Sequence, residues 1–181
     1  MAEKPILFNT EMVKAILSGA KTQTRRLIKP VAMDFTYEDG CPARQCPYSP
    51  GDILWVRETW CALPVSPGGH IRIPNCYYYR ADPEMRPESW RGNWCPSIHM
   101  PRKAARLFLS VKDVRAEMLQ DMTPDDCIKD GGFTIEAVNL LGVAPLFGAL
   151  WDSTLKNADI PKYGWFANPW VWVIEFDVER R

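Results

Sequence analysis

The chain has 181 residues, 46% of them hydrophobic and 12% aromatic, with 22 basic residues balancing 22 acidic ones. That aromatic content excludes disorder of the whole chain, and zero net charge excludes bulk attraction to nucleic acid, so any polyanion site is local. The longest apolar stretch, Leu140 to Trp151, is too short to span a bilayer, and Met1 to Thr10 holds no extended apolar run; a cytoplasmic protein with no membrane segment and its six cysteines reduced is expected.

Lys4 to Asn9 reads as a short strand. TEMVKAILSGAK then reads as a helix capped by Thr10, with Met12, Ala15, Ile16 and Gly19 at helical spacing and Gly19 as its end. KTQTRRLI, with its β-branched threonines, predicts a strand that Pro30 closes. Val31 to Gly51 is irregular, and GDILWVRETW returns to strand after a turn at Pro50 and Gly51. CYYYRAD is a further strand inside a second irregular region, Ala62 to Pro101. Eleven of the 16 prolines fall between Pro30 and Pro101, which predicts loop-rich insertions at about 31–50 and 62–101.

Arg106 to Leu119 predicts a strand with Leu107, Leu109 and Val111 on one face. Thr123 as N-cap, Pro124 at the first helical position and Asp126 three residues after the cap predict a short helix that Gly131 and Gly132 end. TIEAVNLL and PLFGALWDSTLK predict more helix, broken near Gly142 and Pro145. PWVWVIEFDVERR is a closing strand with Val171, Val173 and Ile174 as candidates for burial. This order predicts one α+β domain over residues 1–181, a small mixed barrel with helices at its ends.

Four constellations carry chemistry. Between Met12 and Met33 stand Lys14, Lys21, Arg25, Arg26 and Lys29 with no acid among them. A solvated basic edge strand explains this blandly. An anion or nucleotide site, with Arg25 or Arg26 on phosphate, explains it sharply. A second sharp reading pairs a threonine nucleophile with a lysine base of lowered pKa. It requires Lys21 to sit in the helix–strand turn or to curl round, because strict alternation points it away from Thr24. PGDILWVRETW adds Arg57, Glu58 and Trp60 as charges and a stacking surface, against a structural salt bridge as the plainer alternative. CPSIHMPRKAAR adds Ser97, His99 and Arg102 on a proline-bounded loop. Cys41, Cys46, Cys95 and His99 are loosely spaced for zinc, and no metal site is assigned.

The GAKTQTRR stretch resembles the GxKxxxxR signature of ASCH domains, members of the PUA-like superfamily. PGDILWVRETW resembles their next block, DDCIKDGG their later A-x-x-E-G helix, and NPWVWVIEFDVERR their closing strand. PSIHMPRKAAR and the WVWVIEF ending are especially similar to the phage- and prophage-encoded branch. The resemblance implies a PUA-like β-barrel with flanking helices and a cleft for RNA or a modified nucleoside; with no GxGxxG, Walker loop or HExxH in the chain, no cofactor is expected. Small bacterial ASCH proteins that hydrolyse N4-acetylcytidine use a lysine, a threonine and a glutamate. Matched by motif, these are Lys21 as base, Thr24 as nucleophile and, where the family has glutamate, the shorter Asp130 as acid or orienter. Arg26 would anchor ligand oxygens, and Arg25, Arg57, Glu58, Trp60, Ser97, His99 and Arg102 are the further substrate-binding candidates. A non-catalytic RNA or modified-base reader and a phage accessory or assembly protein are the alternative functions.

Overall fold

The structure, a computed structural model, describes residues 2–29, 46–62, 77–82 and 93–179. The first strand, β1 (Glu3–Leu7), leads through Asn9 into helix α1 (Thr10–Leu17). Asn9, not Thr10, is the N-cap: its side-chain oxygen accepts the Met12 N–H, and Thr10 is already helical. Val13 and Ile16 form the buried side of α1. Gly19 then takes φ 78°, a left-handed turn that returns the chain toward β2 (Gln23–Leu27).

β3 (Ile53–Arg57) follows the turn at Gly51, and β4 (Trp60–Ala62) with β5 (Tyr77–Tyr79) makes a separate two-stranded ribbon. β6 (Phe108–Met118) and β7 (Trp170–Glu179) are the long central strands. The five-stranded sheet has the order β1-β3-β6-β7-β2; β1 and β3 run parallel and the other pairs antiparallel. Mixed α+β architecture is as expected. Closure into a barrel is not seen among the described residues, where β1 and β2 stand as the two ends of the sheet. The expected insertions lie largely outside the described residues.

Between β6 and β7 come α2 (Pro124–Gly131), α3 (Ile135–Leu141), a π-helical turn (Ala144–Gly148), α4 (Ala149–Ser153) and the short α5 (Ile160–Tyr163). The start of α2 is the capping box the sequence predicts, Thr123 and Asp126 bonding reciprocally behind Pro124. Its end is Gly132 at φ 68°, where a side chain would stand 3.1 Å from the Ala15 Cβ, so glycine there lets α2 approach α1.

Alternation along β7 divides the core in two. Ile174 and Phe176 pack with Ile6, Phe8, Val13, Ile16, Leu54 and Leu109, whereas Val171 and Val173 pack with Cys127, Val138, Phe147, Trp151 and Trp165. Leu54, Leu109 and Ile174 are wholly buried, each contributing about 1.5–3 kcal/mol of hydrophobic stabilisation. Among the described residues, no single helix is long and apolar enough to cross a membrane.

Asp52 fixes the start of β3. Its Oδ2 accepts from Lys4 Nζ at 2.6 Å and Ser49 N at 3.0 Å, and its Oδ1 from Ala2 N at 2.9 Å. The Lys4 bond, then the Ala2 N–H, hold its pKa down at about 2 against the opposing effect of burial, with Ser49 N–H adding to them. A carboxylate depressed by folding stabilises the protein above its unfolded pKa, and that stability is lost as pH falls through the folded value. Asp52→Asn is therefore expected to lower stability by about 1–3 kcal/mol at neutral pH and to flatten the acid limb between pH ~4 and ~2. Urea unfolding across that pH range checks both effects.

Candidate functional site

The cationic junction after α1 acquires its acids from far along the chain. Lys21 lies just before β2, in the helix–strand turn, its N–H bonded to the Ala15 carbonyl. The neighbouring Thr22 donates to the Lys129 carbonyl and accepts from Phe176 N, which clamps the turn between α2 and β7. Lys21 is 1% exposed, and its Nζ donates to the Asp130 carbonyl and, at 2.5 Å, to Asp130 Oδ1. Burial lowers the Lys21 pKa; Asp130 opposes that shift, and Arg26 and Arg25 add to it.

Register on β7 settles which way each β2 side chain points. Thr24 faces Ile174 and Arg26 faces Trp172, whereas Arg25 faces Val173 on the other side. Arg25 is buried there among carboxylates: Nη1 lies 3.2 Å from Asp130 Oδ2, and Nη2 bonds Glu117 and stands 3.6 Å from Asp126 Oδ2. Gln23 Nε2 donates to Asp126 Oδ1 at 3.1 Å, and Arg115 joins from outside through Glu117 and Glu175. Asp126 thus has two roles, capping α2 and facing Arg25; its capping and Gln23 bonds, with Arg25, hold its pKa low despite burial.

A cleft of about 580 Å³ opens along this edge of the sheet. Thr24, Arg25, Arg26 and Asp130 line it with Leu7 and Phe8. Phe147 and Trp151 bound the side toward the π-helical turn and α4, and Thr59, Arg80 and Ser97 belong to the side toward β3 and β4. Lys21 lies behind the wall, bonded to Asp130 rather than to Thr24. Arg26 rests over the Phe8 ring at 4.9 Å and donates through Nη2 to the Leu7 carbonyl at 2.7 Å.

Lys21, Thr24, Arg25, Arg26, Asp130 and Ser97 therefore gather in or directly behind the cleft. Arg57, Glu58, Trp60, His99 and Arg102 do not line it. Arg57 is spent on the Ile98 carbonyl and stacks over Trp55, and Glu58 is buried against Arg106 rather than its neighbour Arg57. Trp60 packs edge-on to Tyr77. His99 is exposed on a 3-10 turn, and Arg102 pairs with Glu3 at 2.7 Å and covers Phe108. No three metal-binding side chains group together among the described residues, and Cys41 lies outside them. Sequence reasoning missed Glu117, Arg80 and the Phe147–Trp151 wall; the regular helical spacing of Phe147 and Trp151 marks core and cleft alike.

No known family model matches the chain, and no curated protein matches it. Two solved structures bear a likeness to nearly all of it. One, a hypothetical protein, is 16% identical, with 99% of this chain and 100% of that one covered and a TM-score of 0.40. The other, an ASCH domain from Lactobacillus crispatus, is 9% identical, with 98% of this chain and 79% of that one covered and a TM-score of 0.45. Likenesses of this size name no family for the chain, and what the cleft does is a question for its own side chains.

Proposed function

We propose that the cleft binds a nucleoside and hydrolyses an acyl amide on its base, with Thr24 as nucleophile, Lys21 as base and Asp130 as orienter of Lys21. The observation that supports this most is a lysine at 1% exposure, bonded to Asp130 behind a wall that carries Thr24 and Asp130. A buried lysine gives up its proton more readily than one in water, which is what activating a threonine hydroxyl requires. The resemblance of the Lys–Thr motif to the N4-acetylcytidine amidohydrolases suggests that substrate.

In this reading Thr24 Oγ1 attacks the acyl carbonyl carbon and its proton passes to neutral Lys21. The C–N bond breaks, the departing amine takes that proton from Lys21, and the acyl group remains on Thr24 as an ester. Water then attacks the ester and gives a proton to Lys21. Collapse of the adduct releases the carboxylic acid and returns the proton to Thr24. Asp130 makes and breaks no covalent bond.

The test is loss of the acetylated-base absorbance with N4-acetylcytidine. Wild type is expected to turn over, and Lys21→Ala and Thr24→Ala to lose about 10²–10⁴-fold. The wild-type rate should rise with pH through the lowered Lys21 pKa, because only the neutral amine can accept the proton. An inactive wild type removes N4-acetylcytidine as the substrate and makes binding without catalysis the reading to pursue.

A second reading, binding without catalysis, is favoured by the commitment of Lys21 Nζ to two oxygens of Asp130, an arrangement in which the amine keeps its proton. It predicts that Thr24→Ala retains ligand affinity.

A further inference from the structure

We infer that the cleft takes the 5′-monophosphate of its nucleoside, with the phosphate held between Arg26 and Arg80. The inference rests on the nucleoside reading of the cleft but not on catalysis. Among the described residues four charged ones line the cleft: Arg25, Arg26, Arg80 and Asp130. Arg25 and Asp130 neutralise each other at 3.2 Å and are further engaged by Glu117 and Lys21. Arg26 and Arg80 remain.

Neither has a carboxylate partner among the described residues. Arg26 spends Nη2 on the Leu7 carbonyl, and its Nε is buried with no acceptor. Arg80 is exposed and is tied to the cleft by its backbone N–H, which donates to the Thr59 carbonyl at 2.9 Å. Backbone pairing draws the two arginines to one end. Leu7, the acceptor for Arg26, stands opposite Arg57 in the sheet, and Arg57 reaches the Ile98 carbonyl beside Ser97. Thr59 and Ser97, which also line the cleft, carry hydroxyls.

Two uncompensated guanidiniums match a phosphate monoester, which carries about −1.5 to −2 at neutral pH, better than a diester with a single charge. Arg26 lies two residues beyond Thr24 on the same strand face, about 7 Å along β2, so a base at Thr24 leaves its sugar phosphate near Arg26. A cleft of about 580 Å³ is of a size for one small ligand, and a chain of zero net charge lacks the broad basic field that a polynucleotide track needs.

Calorimetric titration of the full chain with cytidine and with cytidine 5′-monophosphate tests the inference. The monophosphate is expected to bind at least about tenfold more tightly, and raising salt from about 0.05 to about 0.3 M should erode that preference. Arg80→Ala, at an exposed position, should bring the affinity ratio close to one and leave the melting temperature unchanged, while Arg80→Lys should keep part of the preference. Equal affinity for the two ligands, binding of neither, or a preference that survives Arg80→Ala would overturn it. So would a short single-stranded RNA that binds more tightly than the monophosphate whether or not its end is phosphorylated. Turnover is a separate readout. Phosphate preference without hydrolysis sinks the catalytic reading alone, and hydrolysis without preference sinks this one alone.

Discussion

Asp130→Ala is expected to destabilise the protein by about 3–5 kcal/mol, because it strands the buried Lys21 and takes one of the carboxylates that face the buried Arg25. Lys21 and the Arg25 side chain are essentially inaccessible, at 1% and 0% exposure, and both are held by this one carboxylate. Removing it leaves Lys21 with no carboxylate in contact among the described residues, while Arg25 keeps Glu117 and Asp126. Lys21→Met should be milder, since the methionine fills similar space and Asp130 keeps Arg25 at 3.2 Å. Urea unfolding of both variants gives the comparison. An Asp130→Ala loss no larger than that of Lys21→Met would mean that the buried lysine sheds its proton and needs no counter-ion.

Arg106→Met is the second large effect, and its size should depend on pH. Glu58 is 1% exposed and takes a bidentate grip from Arg106, Nε to Oε1 at 2.9 Å and Nη2 to Oε2 at 3.1 Å. Arg106 also bonds Asp82 and lies 4.0 Å over the Tyr79 ring. Burial already raises the Glu58 pKa in spite of Arg106, so without the arginine it rises further. A carboxyl raised by folding keeps its share of stability below the unfolded pKa and loses it as pH climbs through the folded one. The variant should fall short of wild type by about 3–5 kcal/mol near pH 8 and by clearly less near pH 5. A deficit independent of pH would assign the loss to packing on Tyr79 instead of to the stranded charge.

Local chemistry made much of the helix and strand pattern readable in the chain. The box at Thr123, Pro124 and Asp126 needs only its own four-residue geometry, and β7 shows its two faces in its alternation. Asn9 and Thr10 are both good caps side by side, and local preference alone does not choose between them. The opposite problem arises in β6. Val111 pairs with Phe176 and Asp113 with Glu175, which leaves Lys112 as a bulge and reverses the face of every later side chain. Glu117, an even number of residues beyond Val111, thereby lands opposite Val171 and beside Arg25 instead of on the face of Leu109. No local signal marks that bulge, so Glu117 could not be read into the site. Lys21 and Asp130 stand 109 positions apart, and only the family resemblance put them together beforehand. Arg80 had no motif around it at all.

The placement of β2 also sets a timetable for the ribosome. β2 is made early, yet its strand partner among the described residues is β7, which is made after all the other described elements. At about 5–20 residues per second the intervening stretch takes on the order of ten seconds to synthesise. Lys21 and Arg25 are without the acids of β6 and α2 until those emerge, and β2 is without β7 throughout the interval. The cleft is therefore assembled only once β7 has been translated, and a nascent chain that stops short of Trp170 leaves β2 without this partner.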